Sequence, residues 1–210
     1  MGALNGKVAV ITGGTRGLGL AIARAYIREG AAVVVASRSP EAVERAVATL
    51  RTGDVRVSGI ACDVGNLTQI QALKRHVLDT YGQLDVWINN AGIAGPYGAT
   101  AHIAPDMFTA VLQTNIIGVY YGSWVAMQHF LPRHVGKLIN ILGAGARRPM
   151  PMQNAYTSSK GWIKNFTAIL AQEYKESGVG VYAFNPGMMI TDLLTRVDAI
   201  EGYEGRLTSF

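Results

Sequence analysis

The segment "KVAVITGGTRGLGLAIARAYIREG", residues 7–30, decides the fold. It opens with a short apolar run, passes through the glycine-rich stretch "TGGTRGLG" (12–19), and continues with apolar residues at helical spacing up to Gly30. This order predicts a buried strand, a tight turn and a helix. Because the same alternation recurs along the chain, the sequence predicts an α/β fold.

The remaining elements follow the same pattern. Further strands are predicted at 31–37, 55–62, 84–89, 137–142 and 179–184, and further helices at 40–51, before Gly82, and over about 105–131 and 155–176. The strands lack polar alternation, as expected when helices cover both faces of a sheet. Right-handed crossovers then give a doubly wound parallel sheet of the Rossmann type. No linker or repeat divides the chain, so residues 1–210 are expected to form a single domain.

Charge and cysteine content narrow the functional classes. The net charge of +5 comes from 19 basic and 14 acidic residues that are scattered, with no basic run longer than two. A nucleic-acid partner is therefore not expected. Cys62 is the only cysteine, which excludes an intrachain disulfide. No apolar run reaches membrane-spanning length and the start does not resemble a signal peptide, so we expect a cytoplasmic protein without membrane association. No metal site is expected.

Three glycines of the first turn are placed as nucleotide binding requires. Gly13 permits a tight turn, Gly17 lets the backbone approach a phosphate, and Gly19 lets the helix pack closely. The helix N-terminus then offers N–H groups to a pyrophosphate. The spacing is G-x-x-x-G-x-G rather than G-x-G-x-x-G, and no Gly-Lys-Ser/Thr follows. By itself the motif leaves a glycine-rich turn without a ligand as the alternative.

The stretch "YTSSK" (156–160) places a tyrosine and a lysine one helical turn apart. Tyr156 and Lys160 therefore project from the same face of a helix. An unperturbed tyrosine titrates at about pH 10, too high for acid–base work at neutral pH. A neighbouring ammonium favours the phenolate, so Lys160 is expected to lower the pKa of Tyr156. The alternative is an ordinary exposed helix start.

The end of the second strand indicates which dinucleotide binds. A preference for NAD usually needs an acid there that accepts the ribose 2′-hydroxyl. This chain has Ser37 and Arg38 at that place and no acid before Glu41. Arg38 and Arg16 together would bind a 2′-phosphate through charge-assisted hydrogen bonds, which favours NADP(H). Each arginine taken alone is equally compatible with a solvated surface.

Five motifs in register resemble the short-chain dehydrogenase/reductase family, and the resemblance covers nearly the whole chain. They are "TGGTRGLG", "NNAG" (89–92), Asn115 in "LQTNIIG", "YTSSK" and "NPGMMIT" (185–191). The chain is similar to the NADP(H)-dependent carbonyl reductases of that family.

The resemblance implies roles for three catalytic residues. Tyr156 donates a proton to a carbonyl oxygen or removes one from an alcohol. Lys160 also holds the ribose hydroxyls of the cofactor. Asn115 supports a water through which protons reach the lysine; the alternative is a helix-interior asparagine bonded to nearby backbone.

The resemblance also implies that the single domain of residues 1–210 is a dinucleotide-binding domain with the active site built into it. Asp63 and Val64 would flank the adenine, although Asp63 would otherwise cap the helix that follows. Asn89 and Asn90 would brace the centre of the site or simply tie strands together. The full implied set is Gly13, Thr15, Arg16, Gly17, Leu18, Gly19, Ser37, Arg38, Asp63, Val64, Asn89, Asn90, Ala91, Gly92, Tyr156, Lys160, Pro186, Gly187, Met189 and Thr191.

Two features depart from the family pattern. Members usually have a serine thirteen residues before the tyrosine, where it bonds the substrate oxygen, and this chain has Gly143. Three explanations are open. The site is slow and its turnover would rise if Gly143 were replaced by serine, or Gln153 or Asn154 takes over the role of the serine. Alternatively, Gly143 is needed for a turn with positive φ. The chain also ends before the usual seventh strand, so the C-terminal part is expected to be abridged and the sixth strand to have an uncovered edge.

The predicted activity is hydride transfer between NADP(H) and a small-molecule carbonyl or alcohol. A non-catalytic NADP-binding sensor or scaffold is the alternative, and an isomerase or lyase is a third. Met150, Met152, Met188, Met189 and Tyr97 are candidates for an apolar substrate pocket. Arg147 and Arg148 would meet an anionic substrate or simply be solvated. The long helices 105–131 and 155–176 carry enough apolar residues for a second face, which by family resemblance implies a homodimer or homotetramer.

Overall fold

A computed structural model describes residues 2–187 and 199–203 of the chain. The six strands are β1 (Val8–Thr12), β2 (Ala32–Ser37), β3 (Val57–Ala61), β4 (Val86–Asn89), β5 (Gly136–Ile141) and β6 (Val179–Phe184). They form one parallel sheet in the order β3-β2-β1-β4-β5-β6. The predicted doubly wound sheet is confirmed. The direction of winding reverses between β1 and β4, which is where ligands bind in sheets of this kind.

The described part of the chain contains six α-helices. They are α1 (Gly17–Arg28), α2 (Pro40–Leu50), α3 (Leu67–Tyr81), α4 (Pro105–Leu112), α5 (Gly118–Phe130) and α6 (Asn154–Glu173). The helical stretch predicted over 105–131 is present, and it contains a π-helical turn, Gln113–Ile117, between α4 and α5 that the sequence did not predict. Such turns are frequent at functional sites, and this one contains Asn115.

The core lies on both faces of the sheet because neighbouring residues of each strand point in opposite directions. Val8 and Val10 of β1 pack into the cluster that includes residues of α3 and α5. Ala9 and Ile11 pack into the cluster that includes residues of α1 and α2. All four side chains are fully buried. This two-sided burial accounts for the absence of polar alternation in the sequence.

The sheet has an exposed edge at β6. This strand pairs with β5 on one side, and within residues 2–187 and 199–203 no strand pairs with its other side. The side chains of Tyr182 and Phe184, which share one face of β6, are 50% and 49% exposed. None of the described helices combines the length and the apolar character that crossing a bilayer requires.

Candidate active site

The glycine-rich turn after β1 has the geometry that its sequence predicts. Gly13 and Gly17 have φ of 62° and 52°, a left-handed conformation that glycine adopts without strain. A Cβ on Gly19 would overlap the carbonyl oxygen of Gly13, so only glycine lets α1 start this close to the turn. A Cβ on Gly13 would lie 2.9 Å from Ala91 Cα. The turn is therefore pressed against the segment that follows β4.

The N-terminus of α1 is suited to a pyrophosphate. Its N-cap residue, Arg16, is extended, and no side chain caps the helix. The first N–H groups of a helix have no intrahelical partner, and the helix dipole favours an anion beside them. Thr15 and Leu18 flank this point and are half-buried, whereas Arg16 and Gly17 are exposed. The donors present thus fit a dinucleotide phosphate.

Thr12 and Asn90 hold the turn in place. The Thr12 hydroxyl accepts hydrogen bonds from the backbone N–H groups of Asn90 and Ala91, both at 3.1 Å, and donates to Ile88 O at 3.3 Å. The Asn90 amide donates to Thr12 O and Gly13 O at 2.9 and 3.0 Å. Sequence reasoning did not single out Thr12. Its place as the last residue of a strand, at the edge where ligands bind, was the available signal.

The residues that were predicted to determine the preference for NADP(H) over NAD(H) lie at the end of β2. Ser37 is half-buried and Arg38 is exposed. The Ser39 hydroxyl accepts from Ala42 N at 3.1 Å and donates to the Glu41 carboxylate at 2.6 Å. The hydrogen bond from Ser39 lowers the pKa of Glu41. Glu41, the first acid in the sequence after the end of β2, is therefore hydrogen-bonded at the start of α2.

Asp63 and Val64 follow β3 at the same edge of the sheet. The Asp63 carboxylate accepts from Gly65 N at 2.9 Å. The capping alternative for Asp63 is wrong, because Asn66 is the N-cap of α3 and accepts from Gln69 N at 3.2 Å. Val64 is 7% exposed, and a Cβ on Gly118 would lie 2.6 Å from its Cγ2.

Tyr156 and Lys160 lie on the first turns of α6, beside the end of β5. Lys160 is 4% exposed, its Nζ donates to Ile141 O at 3.1 Å, and Nζ lies 5.7 Å from the centre of the Tyr156 ring. Burial lowers the pKa of Lys160 to about 8 and raises the pKa of Tyr156. The prediction that Lys160 lowers the Tyr156 pKa is therefore wrong for this structure, because the phenol and the amine share one poorly solvated environment.

Asn115 connects three segments of the site. Its amide accepts from Ile93 N at 2.9 Å and donates to Ile93 O and to Ser159 Oγ, both at 3.0 Å. Two of these three partners are backbone groups, as the alternative for Asn115 expected, but they belong to the segment after β4 and not to the helix that carries Asn115. Gly92 is adjacent, and a Cβ there would lie 3.3 Å from Asn115 Oδ1 and 3.7 Å from Lys160 Nζ. Sequence reasoning did not identify Ser159.

Asn89 belongs to a buried network beneath the site. Its amide nitrogen donates to Asn140 Oδ1 at 2.9 Å and to Ser123 Oγ at 3.1 Å, and its oxygen accepts from Trp87 Nε1 at 2.8 Å. Asn140 in turn donates to Thr167 Oγ1 at 3.0 Å. Asn89 is 3% exposed. These contacts correspond to the alternative in which Asn89 ties strands together.

Gly143, which occupies the serine position, has an extended backbone. Its φ and ψ are −165° and −177°, values that any residue adopts, so the proposed need for positive φ is wrong. A Cβ at this position would overlap the Tyr156 hydroxyl. The amide of Asn154, one of the suggested substitutes, donates to Thr100 Oγ1 at 3.0 Å and accepts from Ser158 Oγ at 2.9 Å.

The remaining predicted residues lie in two loops, one after β4 and one between β5 and α6. The segment 199–203 packs on the loop that begins at Tyr97, since Ile200 N donates to Tyr97 O at 3.1 Å and the Tyr203 hydroxyl bonds His102 Nδ1 at 3.1 Å. Tyr97 is buried, Met150 and Met152 are half-buried, and Arg147 and Arg148 are exposed.

The loop after β6 is described only in part. Pro186 and Gly187 are described, and Gly187 N donates to the Asn185 side chain at 3.0 Å. Met188, Met189 and Thr191 lie outside the described residues.

Comparisons with known proteins agree with this geometry. The sequence model of the short chain dehydrogenase family matches residues 7–201. A putative ketoacyl reductase of Streptomyces coelicolor is 34% identical over 199 residues, which cover 94% of this chain and 76% of that protein.

Solved structures show the same fold. A variant of actinorhodin polyketide ketoreductase, crystallised with NADPH, superposes with a TM-score of 0.85 at 34% identity, covering 91% of this chain and 74% of that one. The 3-ketoacyl-(acyl-carrier-protein) reductase of Brucella melitensis, complexed with NADH, gives a TM-score of 0.87 at 31% identity, with coverages of 93% and 80%.

Proposed function

The chain belongs to the short-chain dehydrogenase family of oxidoreductases, and we propose that it transfers hydride between NADP(H) and a small carbonyl or secondary alcohol. The observation that supports this most directly is the pair on α6. Tyr156 places its hydroxyl at the end of β5, while Lys160, one turn later, is buried with Nζ bonded to Ile141 O.

Tyr156 is the acid in the reducing direction. Burial raises the pKa of Tyr156 and keeps the phenol protonated at neutral pH, the form that donates to a carbonyl oxygen. When bound, the reduced nicotinamide supplies the hydride that the carbonyl carbon accepts. The phenol proton neutralises the oxygen as it becomes an alkoxide. In the oxidising direction the phenolate of Tyr156 accepts the proton from an alcohol, which restores the phenol.

Lys160 and Asn115 are proposed to support this proton transfer. The pKa of Lys160, lowered to about 8, lies close enough to neutrality for the amine to gain or lose a proton during turnover. Asn115 joins the π turn to α6 through Ser159, and it joins both to the segment after β4 through Ile93. Asn115 thereby ties α6, next to Lys160, to the two other segments of the site.

The cofactor is proposed to be NADP(H). The uncapped N-terminus of α1 would hold the pyrophosphate, and Arg16 and Arg38 would hold the 2′-phosphate. Asp63 and Val64 would lie by the adenine, Asn90, Ala91 and Gly92 would brace the centre of the site, and Pro186 and Gly187 would lie by the nicotinamide. The roles of Met189 and Thr191, which lie outside the described residues, stay predictions. The related structures were crystallised with NADPH in one case and NADH in the other, so the arginines are the argument for this choice.

The test is NADPH oxidation, followed by its absorbance, with a panel of activated ketones, diketones and aldehydes. We expect turnover with at least one class, and a weaker rate with NADH at equal concentration. A panel that gives no turnover although NADPH binds would contradict the enzymatic proposal.

A non-catalytic NADP-binding sensor is the second candidate, and Gly143 is the observation that favours it. A member without the serine side chain has one fewer donor for a substrate oxygen, and losing one such donor typically costs about 10²–10³ in rate. Rate enhancements by enzymes are far larger, which is why we place catalysis first. Tight NADPH binding without turnover on any carbonyl would reverse that order.

We also propose that two copies pair through α5 and α6. Tyr120, Trp124 and Ile169 are 45%, 41% and 49% exposed on these helices, and the Phe166 ring stacks on Trp162 at 4.7 Å between centroids. An apolar surface of this kind suits an isologous dimer.

Light scattering of the purified chain should give the mass of a dimer or tetramer. The change Phe166→Glu should give monomers because it places a charge in the apolar surface. The change Val135→Glu, at a 50% exposed site before β5, is the control and should leave the mass unchanged. A monomeric parent at high micromolar concentration would contradict the pairing. The single domain of residues 1–210 and the cytoplasmic location stay predictions.

A further inference from the structure

The Tyr156 hydroxyl occupies the space that a side chain at position 143 would need. A Cβ built on Gly143 would overlap the phenol oxygen and would lie 3.3 Å from Tyr156 Cζ and 3.4 Å from Lys160 Cγ. The backbone at Gly143 is extended, so it gives no conformational reason for glycine. Glycine loses more chain entropy on folding than any other residue. The benefit of glycine here is therefore the space that it leaves.

The loop cannot easily move to make room for a larger residue. Gly143 O accepts from Ala146 N at 3.0 Å in a short turn, Ala144–Ala146, that packs on α6. A Cβ on Gly145 would lie 2.6 Å from Thr157 Cα, which shows how closely the turn approaches the helix backbone. Since both glycines face α6, a side chain at 143 would displace the phenol rather than the turn.

We propose that Gly143 is a positioning residue for Tyr156, because its missing side chain lets the phenol hydroxyl lie against the end of β5. The catalytic meaning of this proposal rests on the proposed function. Tyr156 then acts as a single donor located where other members of the family carry a second hydroxyl. A serine at 143 would displace that donor, so Gly143→Ser lowers activity, contrary to the gain expected from the sequence.

The first test is a double-mutant cycle on thermal stability. In the parent, Gly143→Ala should lower the Tm by on the order of 5 °C because it overpacks the site. In the Tyr156→Phe protein, which lacks the overlapping oxygen, the same change should lower the Tm by clearly less. A matched control is Gly161→Ala on α6, the helix that carries Tyr156. A Cβ on Gly161 meets nothing within 4 Å, so this change should not lower the Tm.

The second test follows the tyrosine itself. Alkaline difference absorbance between each protein and its Tyr156→Phe counterpart reports ionisation of Tyr156. In the parent that ionisation should occur above the usual tyrosine range, and in Gly143→Ala at lower pH because the displaced phenol is better solvated. Carbonyl reduction by Gly143→Ala and Gly143→Ser should fall roughly 10²-fold, as expected for a misplaced catalytic group.

Equal Tm losses in the parent and in the Tyr156→Phe protein, an unchanged tyrosine titration, or a faster Gly143→Ser enzyme would each overturn the proposal. The Tm cycle and the titration need no substrate. If the parent reduces no carbonyl, the proposed function fails, while these two measurements still decide whether Gly143 positions the phenol.

Discussion

The two halves of the sheet differ in what they bury. Among the described residues, eight of the nine buried polar side chains lie between Asn89 and Thr167, in the half built on β4, β5 and β6. The exception is Thr12 at the end of β1. The half built on β1, β2 and β3 is otherwise apolar inside. The contrast is large enough to require a functional explanation, since a buried polar group costs free energy unless it is hydrogen-bonded.

The difference corresponds to two ways of building a site. The first half works through backbone geometry: left-handed glycines, an uncapped helix N-terminus and exposed arginines at the edge. The second half must hold individual side chains at fixed positions, so its polar groups are buried and bonded to one another, as in the pair Asn89–Asn140. Backbone geometry therefore dominates the half in which we propose that the cofactor binds, and side-chain networks dominate the half in which we propose that catalysis takes place.

The largest effect is expected for Tyr156→Phe in the catalytic half. Removing the proton donor should lower carbonyl reduction by about 10²–10⁴-fold, while NADPH affinity stays within a few-fold because the ring and Lys160 are retained. Steady-state kinetics and fluorescence titration measure the two quantities. Tyr182→Phe, at a 50% exposed site on β6, is the matched control. A Tyr156→Phe enzyme with parental turnover would place the chemistry elsewhere.

The next effect is on stability and comes from Lys160→Met. The pKa of Lys160 drops from its usual 10.5 to about 8, so below pH 8 the folded protein bears the full cost of a buried ammonium. The variant should then be more stable by on the order of 3 kcal/mol, although inactive. As pH rises from 8 to 10.5 the unfolded lysine also loses its proton, and this advantage should disappear.

Urea unfolding at several pH values tests this prediction. The matched control is Lys164→Met, an exposed lysine on the same helix, whose effect should not vary over this pH range. An advantage of Lys160→Met that is constant from pH 7 to pH 10 would show that burial of the charge is not its origin.

A smaller loss is expected from the network that supports the site. Asn140→Ala deprives Asn89 of an acceptor and Thr167 of a donor, so it should cost roughly 1–3 kcal/mol of unfolding free energy. In the first half, Ser58→Ala removes a half-buried contact with His76 and should cost about 0.5 kcal/mol. Chemical denaturation compares the two. Equal costs would remove the distinction between the halves.

The last prediction concerns the cofactor half, where the contacts are exposed. The parent should bind NADPH at least tenfold more tightly than NADH, or about 1.4 kcal/mol, and Arg38→Asp should abolish or reverse that ratio. The matched control is Arg28→Asp, at the C-terminal end of α1 and so at the end of that helix away from Arg16. It makes the same change in charge and should leave the ratio of NADH to NADPH dissociation constants unchanged. Equal dissociation constants in the parent would contradict the choice of NADP(H).

Local patterns were sufficient for the elements and for the Tyr156–Lys160 pair. Strand and helix spacing depend on neighbours within a few residues, and a separation of four places two side chains on one helix face. The same reasoning failed where distant contacts intervene. The helix predicted over 105–131 contains a π turn at Asn115, whose partners Ile93 and Ser159 lie 22 and 44 residues away.

The sequence by itself determined the doubly wound sheet, the glycine turn and the placement of Tyr156 and Lys160 on one helix face, because hydrophobic periodicity, glycine placement and helix spacing act locally. Only the tertiary structure decided that Thr12 joins β1 to Asn90, 78 residues later, and that burial raises the Tyr156 pKa. It also showed that Gly143 has extended backbone, with no need for positive φ, and that a side chain there would overlap the Tyr156 hydroxyl. Solvation and steric overlap depend on which segments meet in space, and the order of residues along the chain does not contain that information directly.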